Sequence, residues 1–145
     1  MISDLVGLYA HIPFCSVKCF YCDFTAFAGQ GRTVDRYLRA LEREVALMPR
    51  RRPDTVYIGG GTPSELSAPQ IAQLYAALHR AYPGLDPSES TFEANPESLT
   101  KEKLLALRDA GVNRLSLGLQ TGSDAILKEI GRKHTVADFF EIYEE

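Results

Sequence analysis

Residues 8–24 read LYAHIPFCSVKCFYCDF, a short apolar run that meets Pro13 and opens directly into three cysteines, Cys15, Cys19 and Cys22. The run 8–12 predicts a buried strand stopped by the proline. The cysteines follow in a C-x3-C-x2-C spacing. Soft thiolates this close together select zinc or an iron–sulfur cluster, and a short loop can wrap one such centre. Three protein ligands leave a coordination position open, and an open position is where small molecules meet a metal. On the residues alone three readings stand. The loop holds a cluster with one iron lacking a protein ligand, a zinc completed by His11 or Asp23, or a disulfide beside a free thiol.

Outward from the loop, strand and helix signals alternate. Thr33 is placed to cap a helix in which Tyr37, Leu38, Leu41, Val45 and Met48 recur at helical spacing before Pro49. Residues 55–58 predict a second strand, broken by Gly59-Gly60-Gly61. Ser67 then begins a helix with Ile71, Leu74, Tyr75 and Leu78 on one face, ended by Pro83-Gly84. Residues 90–94 form a third predicted strand, closed by Asn95-Pro96. Thr100 caps a helix bearing Leu104, Leu105 and Leu107 that ends at Gly111, and 114–118 is a fourth strand. Ser123 and Thr135 start two further helices, the second carrying Phe139, Phe140 and Tyr143. Strands that alternate with helices, with no hairpin signals between them, imply right-handed crossovers and a parallel sheet in an α/β protein. Ligands of such sheets lie beyond the carboxyl ends of the strands. Here those ends carry the cysteines, the glycine triplet, Glu93 and Gln120.

Composition bounds the function. The chain has 145 residues, 45% of them hydrophobic and 24% charged, as one soluble domain would have, and its formal charge of -3 provides no basic footprint for nucleic acid. Arg50-Arg51-Arg52 is expected to be a solvated loop before Pro53. Residues 1–6 show no leader pattern, and no segment is apolar for the length of a membrane span. A cytoplasmic protein follows, in which an odd number of cysteines points to metal or redox use. The glycine triplet serves either a tight turn or close backbone approach to a ligand; it is neither a phosphate loop nor G-x-G-x-x-G. Glu93 is either an inward carboxylate needing a partner or a solvent-facing strand residue. Gln120 and Arg132 read as ligand contacts or as a loop amide and a solvated charge. The chain ends inside an apolar helix with no strand to cover the edge of the fourth, so a longer protein is expected.

Four stretches together, YAHIPFCSVKCFYCDF (9–24), GGGTPS (59–64), FEANPESLT (92–100) and GVNRLSLGLQT (111–121), resemble the radical S-adenosylmethionine (SAM) superfamily. Within it the likeness is to the oxygen-independent coproporphyrinogen III oxidase-like branch. The resemblance implies that 1–145 is the N-terminal part of the core, the first four units of a partial (βα)6 barrel, with the remaining units and a C-terminal domain outside it. It implies that Cys15, Cys19 and Cys22 hold three irons of a [4Fe-4S] cluster and that SAM chelates the fourth. The reduced cluster then cleaves the sulfonium to methionine and a 5′-deoxyadenosyl radical. By the same likeness Tyr9 and Tyr21 contact SAM, Gly60, Gly61 and Thr62 receive its ammonium, Glu93 and Gln120 supply polar contacts, and Arg132 pairs with its carboxylate.

Inside the branch, the porphyrinogen oxidases resemble this chain but carry a fourth cysteine two residues after the third, where Phe24 stands here. They also have a long segment before the cluster loop, against 14 residues here. Both departures favour the heme chaperones of the branch, for which heme is cargo passed to acceptor proteins, a membrane-bound acceptor engaged transiently among them. An electron donor to the cluster is a further implied partner. The alternative is a coproporphyrinogen III dehydrogenase of porphyrin biosynthesis. His11, His79 and His134 are each expected to be structural or solvated rather than heme ligands.

Overall fold

A computed structural model describes residues 5–145 of the chain. Residues 1–4, which carry most of the segment in which no leader was read, lie outside it. Strand β1 (Gly7–Ile12) leads into the short β2 (Phe14–Cys15), which pairs with β3 (Phe27–Ala28). Helix α1 (Val34–Leu47), β4 (Thr55–Gly60), α2 (Ala68–Ala81), β5 (Glu89–Ala94), α3 (Lys101–Asp109) and β6 (Arg114–Leu117) then alternate, and α4 (Asp124–Glu129) and α5 (Val136–Glu144) close the chain. The main sheet is parallel throughout in the order β1-β4-β5-β6. Strands laid down in chain order without reversal are what successive βα units of a barrel produce. The α/β reading holds.

Period-two alternation divides the strands between two faces. On one face Ile12, Ile58 and Phe92 are fully buried, and they pack under Leu38 and Val45 of α1, Ile71, Leu74 and Leu78 of α2, and Leu107 of α3. Each such side chain is worth about 1.5–3 kcal/mol of transfer free energy. The helix layer is therefore the main source of stability. The opposite face is polar and aromatic: Tyr9, Tyr57 and Thr91 stand in register, as do Glu93 and Ser116.

Helix starts follow their caps. Ser67 and Thr135 close capping boxes with Gln70 and Asp138, and the Thr100 and Ser123 side chains accept from Lys103 N and Ile126 N. Thr33 does not cap. A 3-10 turn (Gly31–Thr33) precedes α1, so Thr33 already has helical backbone, and its hydroxyl donates to Gln30 O at 2.8 Å. The glycine triplet does not break its strand either; β4 runs through Gly60 because Gly59 and Gly60 pair with His11 and Ile12 of β1. Met48, Leu105, Phe140 and Tyr143, placed on apolar faces by periodicity, are exposed. Strand β6 pairs with β5 alone among the described residues, and its Leu115 is exposed. No helix of the described residues is long and apolar enough to cross a membrane.

Candidate functional site

The carboxyl ends of β4, β5 and β6, with Cys15 of β2, build one wall of a cavity of about 650 Å3. That volume suits a small-molecule cofactor. Gly60 has φ +121°, a conformation that a side chain resists, and a Cβ there would meet the His11 ring at 2.8 Å. At Gly61 a Cβ would lie 2.8 Å from Phe14 O, 3.0 Å from Cys15 Sγ and 3.1 Å from Ile12 O. The glycines thus let the cysteine loop cross directly over the strand end. Gly61 N–H donates to Ile12 O at 2.9 Å and Thr62 N–H to Phe14 O at 2.8 Å, which fastens the start of the loop to the wall. The Thr62 carbonyl in turn accepts from Glu65 N–H at 2.9 Å.

Glu93 faces the cavity from β5. Its carboxylate accepts from Tyr57 OH at 2.6 Å and from Gly60 N–H at 3.0 Å, so two donors of the neighbouring strand β4 position it. That hydrogen bond to a carboxylate is the first reason the Tyr57 phenol is held above its ordinary range, with burial second. Thr62 is buried, and its hydroxyl lies 3.4 Å from Cys15 Sγ and 3.3 Å from Asn95 Nδ2. Burial pushes the Cys15 thiol up, against the opposing pull of the Thr62 hydroxyl and with smaller upward contributions from the other two thiols.

The three cysteines are free and half-buried, and all line the cavity. No group of three or more His, Cys, Asp and Glu side chains among the described residues stands in the geometry that holds a single metal ion. Between them the loop is open. Phe20 is 83% exposed, Phe24 66% and Tyr21 52%. The structure brings Tyr21 and Phe24 to the mouth of the cavity.

Arg132 is not the solvated charge that its place after a helix allows; its side chain is 5% exposed. The turn after α4 carries it inward. Its Nη2 donates to Asn95 Oδ1 at 2.6 Å and to Gly118 O at 3.2 Å, and its Nη1 stands 3.7 Å from Cys19 Sγ. Glu97 Oε2 lies 3.9 Å away, too far to neutralise it fully. Its Nε is buried without any partner. A guanidinium with an orphaned donor on a cavity wall is a seat for a planar anion. Gln120 also lines the cavity, on a backbone with φ +69° that no other non-glycine residue among those described adopts.

Of the residues singled out in the sequence, Cys15, Cys19, Cys22, Tyr21, Gly60, Gly61, Thr62, Glu93, Gln120 and Arg132 thus converge on one cavity. Tyr9 does not reach it. Its hydroxyl meets His11 Nδ1 at 2.9 Å, and the His11 ring lies against Gly60, so Tyr9 stands next to the site on the same polar face of the sheet without lining the cavity. Asn95 and Tyr57 were missed. Asn95 read as a turn residue before Pro96, and a side-chain amide just past a strand end was its only signal. His11 Nε2 meets Thr25 O at 2.8 Å, and the buried His134 meets Glu97 at 3.1 Å and Leu119 O at 3.3 Å, so both rings are fully engaged. His79 is exposed.

Comparison with known proteins places this geometry. Residues 9–145 match the family model described as the radical SAM superfamily. The chain is 47% identical over 141 residues to the heme chaperone HemW of Bacillus subtilis, covering 94% of this chain and 37% of that protein. It is 40% identical over 134 residues to HemW of Escherichia coli, covering 89% of this chain and 35% of that one. The chain therefore spans well under half the length of these relatives. Among solved structures, the coproporphyrinogen III oxidase HemN of Escherichia coli, titled a radical SAM enzyme, superposes with a TM-score of 0.87 at 30% identity. That match covers 97% of this chain and 33% of HemN. The chain that gathers three thiols, a glycine turn and a buried arginine at its strand ends therefore belongs to the radical SAM superfamily.

Proposed function

We propose that this chain is the cluster- and SAM-holding part of a heme chaperone of the HemW type, working in the cytoplasm. The observation that carries the cofactor reading is the buried, partly unsatisfied Arg132 beside Cys19 in a cavity lined by three free thiols. The residues fit the groups. Cys15, Cys19 and Cys22 are a soft donor set for three irons of a [4Fe-4S] cluster. Arg132 offers its free Nε to the carboxylate of SAM, and the backbone of the Gly60–Thr62 stretch receives its ammonium. Glu93 and Gln120 are the polar contacts, and Tyr21 covers the mouth. Tyr9 acts through His11, which supports Gly60. Once bound, the reduced cluster supplies an electron to the sulfonium of SAM.

For the protein as a whole, heme is the proposed cargo and heme-accepting proteins, some of them in membranes, are the proposed partners, with an electron donor serving the cluster. The remaining barrel units and a C-terminal domain would follow these 145 residues. Support comes from the named relatives and from Phe24, an exposed aromatic at the cavity mouth where the oxidases carry a cysteine. A second reading, coproporphyrinogen oxidation, is favoured by the structural likeness to HemN. Anaerobic reconstitution of the full-length protein separates them. Stoichiometric heme binding without coproporphyrinogen turnover is the expected outcome, and robust decarboxylation would sink the chaperone reading.

A further inference from the structure

We infer that the turn 130–133 is a bracket for the cysteine loop, with Phe20 as the positioning residue that couples the loop to the Arg132 anion seat. Four adjacent contacts carry the inference. Phe20 N–H donates to Ile130 O at 3.4 Å, and a Cβ on Gly131 would touch the Phe20 ring at 3.4 Å. Arg132 Nη1 reaches Cys19 Sγ at 3.7 Å, and Lys133 Nζ reaches Ser16 Oγ at 3.5 Å. Gly131 has φ +82°, the backbone of a helix C-terminal turn, and its bare Cα lets the ring lie against the chain. Phe20 is 83% exposed, so core packing does not explain an aromatic at this place.

The two contacts to oxygen lie at the long, weak end of hydrogen bonding, and the one to Cys19 Sγ has an ordinary length for a sulfur acceptor. The loop is apposed to the bracket without being clamped. A carboxylate seated on Arg132 would fix the bracket from within, and the loop would be fixed with it. By linkage, whatever orders the loop then tightens the anion, and the reverse holds equally. This rests on the cofactor reading above in taking SAM as the bearer of the carboxylate.

The test uses Phe20→Ala and Phe20→Tyr in the full-length protein. Without cofactors, Phe20→Ala is expected to speed hydrogen exchange at the amides of residues 19–22 about tenfold, because docking is what protects them. After reconstitution, iron and sulfide content should match wild type. The SAM concentration that half-saturates the change in the cluster's electron paramagnetic resonance spectrum should rise about tenfold. Phe20→Tyr, which retains a flat ring, should restore both readouts. Unchanged exchange and an unchanged SAM response in Phe20→Ala would overturn the bracket alone. A wild-type protein whose cluster spectrum ignores SAM would overturn the cofactor reading and the coupling together.

Discussion

The two halves of the cavity are built in opposite ways. On the strand-end wall, Ile12, Ile58, Ser64 and Phe92 are fully buried, and Glu93, Thr62 and Asn95 are tied to one another's elements by hydrogen bonds. On the cysteine loop, Val17, Phe20, Tyr21 and Phe24 stand in solvent, and the contacts to oxygen that join it to the bracket are long. Apolar burial is what holds backbone in place, and the loop lacks it. The wall is therefore preorganised for a ligand, while the loop draws its order from its neighbours and from what its thiols bind.

Gly61→Val is the harshest way to break that contrast. Backbone oxygens of Phe14 and Ile12 flank the missing Cβ, and backbone cannot swing aside as a side chain can. A loss of about 3 kcal/mol is expected, read as a fall of about 9 °C in melting temperature. A near-wild-type melt would mean that the wall yields as readily as the loop.

The helix layer behind the wall supplies a second, smaller effect. Tyr75 of α2 is 3% exposed, and its hydroxyl has no hydrogen-bond partner, the nearby Ser90 falling short of one. Burial pushes its phenol up to about 12, with a minor downward pull from Ser90. Between about pH 10 and that value the unfolded chain has lost this proton while the native chain keeps it, so stability falls as pH rises. Below pH 10 the contribution is fully present. Tyr75→Phe should remove about 2 kcal/mol of this alkaline loss and leave the neutral protein at least as stable. Urea midpoints for the two proteins across pH 9–12 measure the difference, and parallel curves would show that Tyr75 is not buried in solution.

Phe24→Ala probes the other side of the comparison, and the smallest change is expected there. An exposed loop aromatic should cost less than about 0.5 kcal/mol in thermal unfolding of the cofactor-free protein. A penalty approaching that of Gly61→Val would place the loop in the folded core and erase the distinction.

Much of the architecture was legible in local signals. Ser67, Thr100, Ser123 and Thr135 each sat where a cap was expected, since an N-cap needs only a side-chain oxygen three residues ahead of a free N–H. Thr33 failed by the same rule, because the 3-10 turn ahead of it changed which N–H groups were free. Met48 and Leu105 fit a helical period but lie where no partner element covers them. The pairing of β2 with β3 escaped notice because two-residue strands carry no periodicity.

The amino-acid sequence by itself determined the chemistry on offer: a C-x3-C-x2-C thiolate loop, a glycine turn after a strand, and carboxylate, amide and guanidinium groups spaced along βα units. These are properties of residue type and short-range spacing. Only the tertiary structure decided which groups share a cavity. It buried Arg132 against Cys19, brought Asn95 into the lining, tied Tyr57 to Glu93, kept Tyr9 out of the lining, and set Phe20 on Gly131. Contacts between residues tens to more than a hundred positions apart depend on strand register and helix packing, and no local pattern encodes them.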